Sequence, residues 1–85
     1  MSVQRQMPKY LCSKEVWALK IKGVKGNIDG SAILTPEDNT YESIYVDSSF
    51  VKKHEPFSGG YYVVYKGGYQ SFSPADVFES GYYRL

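Results

Sequence analysis

The sequence predicts a mainly β (α+β) domain, in which five to six short antiparallel strands form a small sheet or barrel beside one or two short helices. Three observations support this prediction. Apolar and polar residues alternate in short runs, glycine-rich turns separate the runs, and 16% of the 85 residues are aromatic. Because one aromatic ring can bury ~150–250 Å², so short a chain can still form a core. We expect a flexible leader at residues 1–13 and a single compact domain at residues 14–85.

The first predicted strand covers residues 15–24. Its apolar side chains Trp17, Leu19 and Ile21 alternate with small or polar ones, among them Lys20 and Lys22. A period of two is typical of a strand with one buried face. We therefore expect the apolar face to point to the core and the lysine face to point to water or to an anion.

Three more elements follow before residue 57: strands at 31–35 and 41–46 and a helix at 48–54, with turn-forming segments between them. Asp47 is placed to cap the helix, because an aspartate side chain can accept from the first free N–H groups. Phe50 and His54 lie four residues apart and should share one side of this helix. Pro56 should end it.

A hairpin is predicted at residues 61–72, where Gly67 and Gly68 separate two runs rich in tyrosine and valine. A two-residue Gly-Gly loop suits the turns that need positive φ, and it pairs Val63 with Phe72. One face then carries Tyr61, Val63, Tyr65 and Phe72, and the other carries Tyr62, Val64, Lys66 and Tyr69. One face should line the core, and the second must be covered by another element, a second chain or a ligand.

The last predicted element is a short helix that begins within Ser73-Pro74-Ala75-Asp76. Ser73 is a favoured N-cap, Pro74 suits the first helical position, and the aspartate completes an S-x-x-D box. Gly81 should end the helix in a left-handed cap. Residues 82–85 should form a closing strand or a tail.

Charge is distributed unevenly along the chain, although the net charge is only +1. Residues 1–25 have a net charge of +5, and residues 26–85 have a net charge of −4. The basic part can be a lysine-guarded edge strand or a patch for an anionic partner. The near-neutral total argues against tight nucleic-acid binding. No apolar run approaches the ~20 residues of a membrane span, and Cys12 is alone, so we expect a soluble cytosolic protein without an intrachain disulfide or membrane contact.

Catalytic and metal-binding constellations are hard to assemble from these residues. Cys12 and His54 are the only thiol–imidazole pair, and nothing in the sequence brings them together. Glu37-Asp38 is better explained as a turn, and Asp76 as part of a helix start. We expect no enzymatic activity, no metal and no cofactor.

A binding site is the remaining possibility for the tyrosine-rich part. Tyr62, Tyr69 and Lys66 fall on one predicted hairpin face, and Lys20 and Lys22 could join them from the first strand. Tyrosine rings can stack on bases while lysines neutralise phosphates. The alternative is a hydrophobic core with a self-association surface.

The run GGYYVVYKGGYQSFSPADVFESGY, together with the upstream EVWALKI and ILTPEDNTYESI, resembles a group of small, largely uncharacterised bacteriophage and prophage proteins. The match covers residues 15 to about 84, and its Gly68, Ser73, Pro74 and Gly81 are turn and cap positions. Gly67 stands where an acidic or polar residue is commoner. The resemblance implies a phage accessory protein in the host bacterial cytoplasm. We expect a non-enzymatic homo-oligomer that antagonises a host defence factor, either by binding a host protein or by sequestering a nucleotide second messenger. A nucleic-acid-binding regulator and a minor virion or assembly component are the alternatives.

Overall fold

The computed structural model describes residues 16–81. The predicted leader, Cys12 and the closing segment at 82–85 lie outside the described residues. The elements in chain order are β1 (Val16–Gly26), β2 (Ala32–Pro36), β3 (Ile44–Val46), α1 (Ser48–His54), β4 (Tyr61–Tyr65), β5 (Gln70–Ser73) and α2 (Ala75–Gly81). Five strands and two short helices confirm the prediction of a mainly β fold with five to six strands and one or two short helices.

The five strands form one antiparallel sheet in the order β3-β2-β1-β4-β5. The first half of β1 pairs with β4 and its second half pairs with β2, and the register shifts at a bulge between Ile21 and Gly23. A bulge bends a strand and increases its twist, so the sheet curls around its inner face. This connectivity, with a helix between β3 and β4, is that of a five-stranded OB barrel left open between β3 and β5.

The core fills the inner face of the curled sheet. Its buried members are Ile21, Ala32, Leu34, Val46, Phe50 and Phe72, and Leu19, Val24, Ile44, Val51 and Tyr62 pack against them. Phe50 comes from α1, so this helix closes one end of the sheet. Trp17 was expected on the core face but is 60% exposed. Trp17 pairs with Val64, two residues away from the Leu19–Tyr62 pair that borders the core. The apolar face of β1 therefore extends beyond the core, and Trp17 lies at its exposed end.

The α1 helix follows its local signals closely. Asp47 is the N-cap, and its Oδ1 accepts from the Phe50 N–H at 2.9 Å. The helix ends at Glu55, whose φ of 46° is left-handed and whose N–H donates to the Val51 carbonyl at 2.8 Å. Since Pro56 disfavours a right-handed helical conformation at the residue before it, the chain leaves the helix there. The predicted cap and bounds are confirmed.

The outer face of the β1-β4-β5 part is also packed. Val63 is only 2% exposed, although it alternates with the inward-facing Tyr62. The ring of Tyr61, on the same face as Val63, stacks on the Phe78 ring of α2 with centroids 4.4 Å apart. The second hairpin face is therefore covered in part by α2, an element of the same chain. This was one of the three kinds of cover predicted from the sequence.

The predicted register of the β4–β5 hairpin is wrong by one residue. Tyr62, not Val63, pairs with Phe72, so these two rings share the core face. The Gly68 N–H donates to the Tyr65 carbonyl at 2.8 Å, and the Tyr65 N–H donates to the Tyr69 carbonyl at 2.9 Å. Only Gly68 of the two glycines has a positive φ, of 91°. The loop thus has three residues, a turn followed by one left-handed glycine, and the extra residue moves the pairing.

The α2 helix begins within the predicted segment and ends at Gly81, but both of its predicted caps are wrong. Ser73 is the last residue of β5 and pairs with Tyr61, so the ladder holds it in an extended conformation. The first helical hydrogen bond runs from the Phe78 N–H to the Pro74 carbonyl at 3.0 Å, and the Ser73 hydroxyl donates to the same carbonyl instead of capping an N–H. Gly81 is the last helical residue and is not left-handed.

Candidate interaction surface

The five residues predicted to form a binding site do not form one surface. Tyr62 lies on the inner face, and its ring centroid is 6.0 Å from that of Phe50. Burial raises the pKa of the Tyr62 hydroxyl. This ring is part of the packing around the core, so it is not an open platform for stacking.

Lys20 lies on the opposite face and anchors α2. It pairs with Tyr61 across β1 and β4, and its Nζ is 3.6 Å from a Glu79 carboxylate oxygen. The Tyr61 hydroxyl donates to the same carboxylate at 2.7 Å. That bond raises the pKa of Tyr61 to about 12 and holds the pKa of Glu79 below its usual value. We call Lys20, Tyr61, Phe78 and Glu79 the α2 anchor.

Lys22 lies at the β-bulge, where its carbonyl accepts from the Ser58 hydroxyl. The side chain is exposed. Beyond the bulge, Lys25 pairs with Ile33, which in turn pairs with Tyr45. Paired residues of neighbouring strands point to the same side of a sheet, so this row forms part of the outer face of β1-β2-β3.

Tyr69 and Lys66 belong to a different cluster, which includes residues that the sequence did not single out for binding. The Tyr69 ring is 51% exposed. Its centroid is 5.9 Å from that of Tyr65 and 6.3 Å from that of His54, and the Lys53 Nζ lies 5.3 Å from it. Lys66 is exposed in the hairpin loop, between the two tyrosines in sequence. We call Lys53, His54, Tyr65, Lys66 and Tyr69 the hairpin cluster.

The sequence predicts the position of Lys53 in α1 but not its contact with Tyr69. The pattern places Lys52, Lys53 and His54 in the last turn of α1, where positive charge interacts favourably with the helix dipole. The contact between Lys53 and Tyr69 joins residues from two elements that are distant in the chain, and no local pattern reports it. Burial, and secondarily the charge of Lys53, lowers the pKa of His54.

A second exposed surface surrounds the β1–β2 loop. Ile28 is fully exposed at the tip of the loop, which backbone hydrogen bonds close between Asn27 and Ser31. The Asp29 carboxylate accepts from both the N–H and the hydroxyl of Ser31, which lowers the pKa of Asp29. Gly30 adopts a φ of 93° and lies against Ser48 at the start of α1. The loop therefore holds its apolar tip in a fixed position.

Neither a metal-binding group nor a membrane-spanning helix is found in the part of the chain that the structure describes. No group of three or more His, Cys, Asp or Glu side chains in residues 16–81 is arranged to hold a metal ion. Within the same residues, no helix is long and apolar enough to cross a membrane. The exposed side chains in this range include tyrosines, lysines, several carboxylates and a few apolar residues.

Comparison with known proteins gives one informative likeness. No protein-family model matches the chain, and no curated protein matches it. Among solved structures, the chain is similar to the phage L decoration protein, whose monomeric form was determined in solution by NMR. The sequence identity is 32% and the TM-score is 0.64, over 81% of this chain and 51% of that protein.

The comparison bears on the functions that the sequence left open. It supports a protein of bacteriophage type, and it favours the alternative of a virion component over the antagonism of a host factor, for which it offers no support. The resemblance to small prophage proteins stays a prediction, since no family model matches. This chain is a small β domain similar to a phage decoration protein, and it spans about half of the length of that relative.

Proposed function

We propose that the chain is a non-catalytic component of a phage virion that attaches to the outside of the capsid. The observation that carries this proposal is the likeness to the phage L decoration protein, at 32% identity over 81% of this chain. At that identity the likeness goes beyond a shared fold. The proposal applies to the domain that the two chains share.

The exposed surface suits such a role. A docking protein gains affinity when its contact residues are held in place before binding, because less conformational entropy is then lost. Ile28 lies on a loop braced by hydrogen bonds, and Tyr69 lies among rings that continue into the core. Tyrosine is also enriched at protein interfaces.

The competing hypothesis of a nucleotide-sequestering antagonist is weakened by where its residues lie. Tyr62 packs against the core, and Lys20 is engaged with Glu79 on the opposite face. A nucleotide would have to displace packing contacts to reach both residues. The virion role also changes the expected location from the host cytoplasm to the particle. Self-association and the absence of catalysis stay predictions.

The test is the location of the protein in cells that produce the phage. Particles are purified from a lysate on a density gradient, and the fractions are probed with an antibody against the chain. The coat protein of the same particles and an abundant host enzyme serve as markers. We expect the chain to follow the coat protein in a fixed ratio, and to be released by mild denaturant before the shell breaks. Recovery only with the host enzyme would overturn the proposal.

A further inference from the structure

We propose that the hairpin cluster is the surface through which this protein docks, and that it binds an acidic patch on a coat protein. This inference rests on the proposed function and adds to it the contact surface and the chemistry of the partner. The proposed docking surface lies at the end of α1 and on the β4–β5 hairpin, and it does not include the β1–β2 loop.

Unpaired positive charge is the first observation. The ion pair found within residues 16–81 joins Lys20 to Glu79, and no such pair in that range engages Lys53 or Lys66. The helix dipole explains why a lysine at the end of α1 stabilises the helix. It does not explain why the ammonium of Lys53 lies over the Tyr69 ring, or why a further lysine lies in the adjacent loop.

A fixed yet exposed aromatic ring is the second observation. Ring contacts run from Phe50 in the core to His54 at 4.6 Å, and from His54 to Tyr69 at 6.3 Å, between centroids. This series of rings supports Tyr69 from one side, while about half of its surface faces solvent. An aromatic ring that is already held in place can be buried by a partner at a low entropic cost.

The hairpin loop supplies the third observation. Its backbone is defined by two hydrogen bonds between Tyr65 and residues 68–69, and by the left-handed Gly68. Lys66 therefore extends from a loop of fixed shape rather than from a flexible one. The cluster offers two ammonium groups and the exposed ring of Tyr69, which suits carboxylates set in a partly apolar surface.

The charge of the chain decides between a protein and a nucleic acid as the partner. Residues 26–85, which contain the whole cluster, have a net charge of −4. Nucleic-acid binding depends on neutralising many phosphates, and a cluster with two lysines in a chain whose net charge is only +1 is poorly suited to it. A small cationic patch in that background is suited to a local group of carboxylates on a protein.

The Ile28 surface does not support an equivalent proposal, because it is apolar and nothing in the structure indicates what would cover it. The outer face of β1-β2-β3 provides the matched control instead. Lys25 and Tyr45 lie on that face, and they have the same side-chain types and comparable exposure. Substitution there removes the same chemistry from a different part of the same domain.

Two measurements on the full-length protein test the inference. In the first, amide chemical shifts are followed while poly-L-glutamate is added, with a single-stranded DNA oligonucleotide as the competing probe. In the second, binding to purified phage particles stripped of the protein is measured by co-sedimentation. The variants are Lys53→Glu with Lys66→Glu, and Tyr69→Ala with Tyr69→Phe as its conservative form. The controls are Lys22→Glu with Lys25→Glu, two exposed lysines of β1 whose reversal changes the charge by the same amount, and Tyr45→Ala.

We expect the polyglutamate shifts to centre on the hairpin cluster. The lysine double variant should weaken both polyglutamate and particle binding by about tenfold or more, while the controls stay within about twofold. Tyr69→Phe should bind better than Tyr69→Ala. Native amide dispersion in every variant shows that the fold is kept.

Each other outcome has a defined meaning. The hairpin cluster would be ruled out as the docking surface if the chemical-shift changes spread over all lysines. It would also be ruled out if a control variant lost particle binding as strongly as the lysine double variant. If the oligonucleotide bound the cluster more tightly than polyglutamate does, the proposal of an acidic protein partner would be wrong. If polyglutamate maps to the cluster but the wild-type protein does not bind particles, the proposed function fails while the acidic-ligand site stands.

Discussion

Gly60 shows how one residue fixes the approach of two strands. Its carbonyl accepts from the Ile21 N–H at 2.8 Å, and the Gly59 N–H donates to the Ile21 carbonyl at 2.7 Å. These bonds extend the β1–β4 pairing to the two residues before the start of β4. A Cβ at Gly60 would lie 2.3 Å from Phe72 Cε2 and 2.9 Å from the Ser73 carbonyl oxygen. The backbone at Gly60 therefore leaves no room for a side chain between β4 and β5.

We therefore expect Gly60→Ala to destabilise the fold by about 1–3 kcal/mol, the usual range for overpacking. Phe72 must move, and the backbone of Ser73 cannot easily follow. The control is Gly26→Ala, since a Cβ at Gly26 meets nothing within 4 Å. Urea unfolding of the two variants and the wild type measures the difference. Equal stability of the two variants would contradict the prediction.

The hairpin loop allows a comparison between two neighbouring glycines. Gly68 has a φ of 91°, whereas Gly67 is outside the left-handed region and has open space around it. We expect Gly68→Ala to cost about 1–2 kcal/mol, because a Cβ is disfavoured in a left-handed conformation. Gly67→Ala should lie within about 0.5 kcal/mol of the wild type, or stabilise it slightly. Thermal unfolding of both variants measures the difference, and a larger cost at Gly67 would show that the loop has two residues after all.

At the scale of elements, α2 is attached by a polar and aromatic anchor rather than by a buried face. None of its residues is fully buried. The Tyr61 ring and hydroxyl contact Phe78 and Glu79 respectively, and Lys20 adds an ion pair from β1. Such a helix can be released without opening the main core, because the buried side chains on the inner face come from other elements.

The anchor should weaken at high pH. The folded-state pKa of Tyr61 is raised from 10.0 to about 12 by its bond to Glu79. A raised pKa means that the stabilising effect is complete below pH 10 and is lost as the pH rises towards 12. We expect the wild type to lose more stability than Tyr61→Phe between pH 10 and pH 12, measured by chemical denaturation. Tyr41→Phe, which removes an exposed tyrosine, serves as the control and should behave as the wild type does.

For the whole molecule, local signals predicted α1 and the alternating strands, because Asp47, Pro56 and the period of two act within a few residues. Three features depended on tertiary context. Gly67 and Gly68 fit a two- or a three-residue loop, and only the pairing of β4 with β5 decides between them. The start of α2 depends on how far the β5 ladder continues. The contact of Lys53 with Tyr69 joins distant parts of the chain, so the sequence identified one half of the hairpin cluster and missed the other.

The pH dependence of global stability combines three described groups that act in the same direction. Burial lowers the pKa of His54 from 6.5, and hydrogen bonds lower the pKa of Asp29 from 3.8 and that of Glu79 from 4.5. A lowered pKa in the folded state means that stability is complete above the ordinary pKa and is lost as the pH falls. Acid should therefore reduce stability in two stages, the first below about pH 6.5 and the second below about pH 4.5.

Substitutions at these positions should separate the two stages. His54→Gln should flatten the first stage and leave the second, and Asp29→Asn with Glu79→Gln should do the reverse. The readout is the slope of the unfolding free energy against pH, taken from denaturation curves between pH 3 and pH 8. This slope reports the difference in the number of bound protons between the unfolded and the folded state. Losing the His54 ring contact lowers the unfolding free energy by the same amount at every pH, so it does not change the slope. A first stage that persists in His54→Gln would assign it to groups outside the hairpin cluster.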